Sequence, residues 1–314
     1  MKLPSRNTLA PLLGLVGVYG LFALLGPDGF SSARNLETIA RQTTIVGIAA
    51  MGMTLVIISG GIDLSAGSVI ALSTVVIAAT MNAGASPLVS AMAGIGAGAL
   101  AGLMNGLIIT RLRVVPFIVT LGTLLLVRGL AKGLADEQKI DVPLSWLIEL
   151  LAALSPEMRW LIVPPGVWLL LLLAIGVGAL LRSTPVGRHI VATGSSEATA
   201  RLCGIRVERI KTGVYMASGA AAGLAGVMQF SRLTVGDPTV AVGLELDVIA
   251  AVVIGGGSLS GGEGSILGTL VGALIMTVIR SGCSQMGLPN WVQEIVTGTI
   301  IVVAVALDRW RHRR

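Results

Sequence analysis

Residues 88–110 read LVSAMAGIGAGALAGLMNGLIIT, which is 23 positions without one charged side chain. A stretch of about 20 apolar residues is what a helix needs to cross the hydrocarbon layer. Gly94, Gly98, Gly102 and Gly106 recur every fourth residue in it, so on a helix they line up as one flat stripe that lets another backbone approach closely. Gly264, Gly268 and Gly272 repeat the pattern, as do Gly219 and Gly223. Such stripes serve packing first. They would also let helices slide past one another during transport, but they name no substrate.

Similar apolar segments lie near 9–26, 40–60, 66–84, 115–133, 161–181, 212–230, 246–257, 265–281 and 291–307. With 88–110 they predict an all-α polytopic membrane protein of about ten transmembrane helices. Composition agrees: 54% of the 314 residues are hydrophobic, 12% are charged, and the mean hydropathy is +0.89. Soluble domains carry roughly 25% charged residues, so this chain could not cover a water-facing surface. The 42 glycines have no three-residue period, which excludes a collagen-like reading. Lys2 and Arg6 before the run from Leu9 to Leu25 resemble a secretory leader, but no small-residue cleavage pattern follows, so a retained first helix is expected.

Orientation follows the distribution of Lys and Arg. With the N-terminus in the cytoplasm, most of the 22 basic residues fall in inner segments, among them Lys2, Arg111, Arg113, Arg182, Arg188, Arg206, Arg209, Arg313 and Arg314. Asp136, Glu137, Asp141, Glu149 and Glu157 all fall in one outer loop, 134–160. Both termini then lie in the cytoplasm. The net charge of +6 reflects basic inner loops, and nucleic acid is not expected as a partner. Within the outer loop, Leu144 to Leu154 suits a short helix in the membrane interface, a re-entrant piece or part of the next span. The chain reads as a single permease domain, 1–314, with its largest cytoplasmic feature the inner loop 182–211.

Two breaks between spans carry polar groups. In the first, Gly60-Gly61-Ile62-Asp63-Leu64-Ser65, Asp63 is the only acid between Glu37 and Asp136. A carboxylate at membrane depth costs roughly 2.5–3.5 kcal/mol on insertion scales. That cost falls if Asp63 caps the following helix through its free N–H groups, and a direct role in transport is the sharper alternative. The second break starts after Glu245-Leu246-Asp247 and an apolar stretch. It runs Gly255-Gly256-Gly257-Ser258-Leu259-Ser260-Gly261-Gly262-Glu263-Gly264, a tight turn that echoes the first break and hints at an internal repeat.

The inner loop reads TPVGRHIVATGSSEATARLCGI from Thr184 to Ile205. Ser195 or Ser196 can cap a short helix from Glu197 to Cys203, which Gly204 can end. A helix of that length is not stable alone. It is either a docking element for a soluble partner or an ordinary connection held by its flanking spans.

Enzyme chemistry has little to stand on. The sequence has no G-x-x-x-x-G-K-[ST] loop, no H-E-x-x-H and no G-x-S-x-G. No catalytic residue, metal site or cofactor is expected, and Cys203 and Cys283, placed on opposite sides, do not suggest a disulfide.

Several of these stretches resemble the permeases of simple-sugar ABC importers of the ribose, xylose and arabinose type. They are Met53–Ile57 with Gly60–Ser65, Pro116-Phe117-Ile118-Val119-Thr120-Leu121-Gly122, the inner loop just quoted, and Leu246-Asp247 through Gly262. The resemblance runs in order from about residue 35 to the end. It implies a subunit that works beside a cytoplasmic ABC ATPase, a second permease copy or paralogue, and a periplasmic or extracellular sugar-binding protein, in the lipid bilayer of the bacterial inner membrane. It further implies that Ser196, Glu197, Ala198, Arg201, Leu202 and Gly204 form the coupling helix that seats in the ATPase. Gly60, Gly61, Asp63, Ser65, Asp247, Gly256 and Gly257 would form a translocation or structural motif. Specificity would sit mainly in the binding protein. Two departures stand out: Ser195-Ser196 replace an asparagine-rich start, and Cys203 stands where serine is frequent. An ion-coupled secondary transporter and a small-solute channel are the competing readings. The first needs coupling carboxylates at mid-membrane, and the second has no evident use for the basic inner loop.

Overall fold

A computed structural model describes residues 6–154 and 160–311, so the readings made above at Lys2, Glu157, Arg313 and Arg314 lie outside the described residues. The protein is all-α. Each of the ten apolar segments falls on a helix: α1 Arg6–Leu25, α2 Ala33–Ile58, α3 Ala66–Asn82, α4 Pro87–Leu112, α5 Pro116–Leu134, α6 Pro165–Ser183, α9 Val207–Leu233, α10 Leu244–Ile254, α11 Ile266–Gln285 and α12 Asn290–Arg311. Between α6 and α9 lie α7, Pro185–Ser195, and α8, Glu197–Leu202. Five helices, α2, α4, α5, α6 and α11, are long and apolar enough to cross a membrane, and shorter apolar stretches lie in α1, α3 and α12. Leu125, Leu126, Leu172 and Ile175 stand exposed on α5 and α6, as a surface meant for lipid chains requires.

Helix α2 is the centre of the bundle. Every residue from Thr43 to Ile58 is buried, so it presents no outward face. Its polar side chains pair across to α11, Thr43 with Thr277 at 2.6 Å and Thr54 with Thr269 at 2.9 Å, which satisfies hydroxyls that lipid could not.

The glycine stripes meet one another. A Cβ added at Gly98 of α4 would lie 2.9 Å from the Gly223 Cα of α9, and one at Gly102 would lie 3.0 Å from the Gly219 Cα. Gly94 instead faces Ser73 and Ile77 of α3. In the third stripe, Gly268 packs on Gly255 and Gly272 on Ala251, bringing α11 onto α10.

The loop 134–160 carries a short helical element. Within Leu144–Leu154 a short 3-10 helix forms over Trp146–Leu150. Leu147 and Leu151 are fully buried against the bundle, and Ser231 of α9 pins the turn, accepting from the Leu151 N–H and donating to the Ile148 carbonyl, both at 2.9 Å. Nearby, strand β1, Ile140–Asp141, pairs antiparallel with β2, Val235–Gly236. Arg128 of α5 donates to the Pro238 and Val240 carbonyls at 3.0 and 2.6 Å, closing this end of the molecule.

Candidate functional site: the α7–α8 helix pair and the two helix breaks

The loop 182–211 is mostly helix. Thr184 caps α7, its Oγ1 accepting from the Gly187 N–H at 3.1 Å, and Pro185 takes the first helical position, where a missing N–H costs nothing. Ser196 then adopts an extended backbone that ends α7 and starts α8, and its Oγ accepts from the Thr199 N–H at 3.3 Å. Gly204, at φ +81°, closes α8, with its N–H bonded to the Arg201 carbonyl at 3.0 Å. Helix α8 therefore forms where the sequence places it. The sequence reading missed α7, because Pro185, Gly187, Thr193 and Gly194 make that segment a poor helix former by propensity.

Helix α8 has two faces. On one, Glu197 accepts from Arg201 at 2.9 Å and from Lys211 of α9 at 2.5 Å, and Arg201 also reaches Glu208 of α9. Partial burial works against the charge on Glu197, but the hydrogen bonds from Lys211 and Arg201 outweigh it and hold its carboxyl below the ordinary range. The other face is open: Ala198, Leu202 and Cys203 are exposed, with Leu202 at 90%. A six-residue helix is thus held by ion pairs to α9 while it presents an apolar tip.

Directly before α8, three backbones meet. The Gly262 N–H donates to the Ile58 carbonyl at 2.8 Å, joining the second break to the end of α2. Gly194, at the end of α7, fits between them: a Cβ there would lie 2.7 Å from Gly262 N and 2.8 Å from the Ile58 carbonyl carbon. A Cβ at Gly261 would lie 2.7 Å from the Gly194 oxygen and 3.0 Å from the Gly60 Cα. No side chain fits in this junction.

The two breaks end their helices in the same way. Gly60 at φ +79° and Gly256 at φ +89° occupy the left-handed position. The N–H groups of Gly60 and Gly61 bond to Ile57 and Val56, those of Gly256 and Gly257 to Val253 and Val252, all at 2.8–2.9 Å. This shared cap is the structural counterpart of the sequence echo.

Asp63 is buried within the first break and does not cap α3 through that helix's own free N–H groups. Its Oδ1 accepts from the N–H and the hydroxyl of Ser65, at 3.0 and 2.6 Å, and its Oδ2 accepts from Ser218 of α9 at 3.1 Å. Asn105 of α4 donates to Ser65 at 3.0 Å, and Thr120 of α5 and Tyr215 of α9 both donate to the Ile62 carbonyl. The chain after Gly61 is thereby tied to three helices. Asp247, the other acid singled out, is elsewhere: it lies in the first turn of α10, is buried, and pairs with Arg280 of α11 at 2.6 Å. Sequence reasoning named neither Arg280 nor Gly194, and spacing carries no signal for either.

A family described as branched-chain amino acid transport system / permease component matches residues 35–305. The chain is similar to the ribose import permease protein of Escherichia coli K12, 38% identical over 95% of this chain and 92% of the relative. It is equally similar to the ribose import permease protein of Bacillus subtilis 168, 38% identical over 96% and 92%. The L-arabinose ABC transporter permease protein of Azospirillum brasilense is 36% identical over 96% and 88%. No solved structure matches the chain. The family match covers most of the chain and the relatives nearly all of it, and the chain belongs to this family of transport-system permease components.

Proposed function

We propose that the chain is the membrane-spanning subunit of an importer that carries a monosaccharide into the bacterial cell, driven by ATP hydrolysis on a partner subunit. The ribose and arabinose import permeases among its relatives support the sugar class. All ten of the long or apolar helices, α1–α6 and α9–α12, cross the inner membrane in this reading, with both termini in the cytoplasm. The exposed tip of α8, Ala198 and Leu202, seats in the ATPase. A second permease copy or paralogue completes the pathway, and a sugar-binding protein docks on the outer loops.

One observation carries the reading: the residues that lead into α8 lie backbone to backbone against both helix breaks, at Ile58 and at Gly261–Gly262. Force on α8 therefore reaches α2 and α11 without passing through a flexible side chain. Closure of the ATPase dimer would push α7 and α8, shift the two breaks together, and slide α11 against α10 along their glycine contacts.

The test is reconstitution of the permease with its ATPase and binding protein in proteoliposomes. Uptake is expected only with ATP present and hydrolysed. Uphill solute accumulation by this chain alone, driven by an ion gradient, would establish the secondary-transporter reading instead.

A further inference from the structure

Helix α6 leaves a recess beside α11. A groove of about 720 Å³ lies between them. One wall is a stripe of α6, with Trp168, Leu171, Leu172, Ile175, Gly178 and Arg182 at the spacing of a single helix face. The other is the start of α11, with Ile266, Leu267 and Leu270. The fold does not fill the groove: a Cβ at Gly178 would meet no atom within 4 Å, and Leu172, Ile175 and Leu267 stand exposed.

The groove has one polar end. Leu170 of α6 packs on Gly47 of α2, and Gly264 packs on Ile58 at the end of α2. Helix α6 leads into α7, whose Gly194 also lies against Ile58, so α6 runs toward the level at which α11 begins. Arg182 and Ser183 therefore come level with Ser265. Arg182 is the only ionisable residue in the lining, and the two serine hydroxyls lie beside it. At the other end the Trp168 ring is fixed by its Nε1, which donates to the Leu161 carbonyl at 3.0 Å.

Length and polarity together select the occupant. From Trp168 to Arg182 the stripe runs about 21 Å at 1.5 Å per residue. One leaflet of a bilayer, chains and headgroup together, measures about 20–22 Å. An apolar track of that length with one cation at its end fits a lipid tail with an anionic head, and the planar guanidinium fork matches a phosphate. We infer that the α6–α11 groove binds one phospholipid, with its phosphate on Arg182 and an acyl chain along the α6 stripe toward Trp168. The lipid belongs to the leaflet on the side of α7 and α8. It lies against Gly264 and Ser265, which follow the second break, and props α6 against α11. The inference requires only that the chain spans a bilayer, and it is independent of the cargo and of the energy source.

The test is native mass spectrometry of the full-length permease, delipidated in detergent and titrated with phosphatidylglycerol or with diacylglycerol of the same chains. One phosphatidylglycerol is expected to be retained per permease, and diacylglycerol about tenfold more weakly, as loss of one charged hydrogen bond would give. Arg182→Gln is expected to weaken phosphatidylglycerol about tenfold and leave diacylglycerol unchanged. Gly178→Leu is expected to abolish retention of both, because its side chain enters the open groove. Gly129→Leu on α5, where a Cβ also meets nothing within 4 Å, is the control and should retain lipid like the parent. Retention undiminished in Gly178→Leu, phosphatidylglycerol held as tightly by Arg182→Gln as by the parent, or a parent that holds the two lipids equally would overturn the inference. If Gly178→Leu instead splits a dimer that the parent forms, a second permease copy occupies the groove and the lipid assignment is wrong.

Discussion

Gly194→Ala is expected to lower ATP-driven uptake tenfold or more while the protein still inserts and still binds its ATPase. The added methyl has nowhere to go. It would meet Gly262 N at 2.7 Å and the Ile58 carbonyl carbon at 2.8 Å, both backbone atoms of separate segments. No rotamer change relieves such a clash, so α7 must draw back from one break or the other. Overpacking of this kind costs about 1–3 kcal/mol, which corresponds to roughly a five- to 150-fold loss of the joined state. Gly194→Val should do worse. Gly213→Ala is the control, because a Cβ at Gly213 meets nothing within 4 Å. Measuring uptake and ATPase copurification together separates loss of transmission from loss of folding. Normal uptake in Gly194→Ala would show that the junction transmits nothing.

Asp63→Leu is expected to prevent accumulation of folded protein, and Asp63→Asn to give a folded but less heat-stable one. Leucine fills much the same space but leaves three donors without an acceptor: the Ser65 N–H, the Ser65 hydroxyl and the Ser218 hydroxyl. Each buried orphan costs about 1–3 kcal/mol. The sum is a large share of the 5–15 kcal/mol that typically separates folded from unfolded protein. Asparagine keeps one acceptor oxygen and turns an amide toward the remaining donor. Fluorescence-detected size-exclusion and a thermal ramp in detergent distinguish the outcomes. An Asp63→Leu protein as stable as the parent would mean that the carboxylate is not structural, and would return weight to a direct transport role.

Much of this architecture is legible before folding. The apolar segments find their helices because hydrophobic length and the Gly and Pro breaks are local properties. Helix ends are a different matter. Helix α9 spans Val207–Leu233, wider than the apolar run 212–230, because its first turn carries Glu208 and Lys211, which are charged and yet helical. Helix α8 was readable from Ser196, Glu197 and Gly204, since capping chemistry lies within a few residues of the helix it bounds. What could not be read are contacts between segments far apart in sequence. Gly194 looks like any glycine in a loop until Ile58 and Gly262 are placed on either side of it. The Asp247–Arg280 pair spans 33 positions, and no periodicity encodes it. Asp63 was recognised as a polar group at a helix break, but its partners on α9 arrive only with the fold.

Cys203 offers the most direct test of how energy enters the molecule. It is exposed beside the tip of α8, and the other cysteine, Cys283, is buried. A membrane-impermeant maleimide applied to inside-out vesicles should label Cys203 when the permease is alone and fail to label it once the ATPase is assembled. Sealed right-side-out cells should show no labelling at all. Labelling from the outside, or labelling from the inside that the bound ATPase does not diminish, would contradict the account, because α8 would then not be the surface on which the ATPase acts.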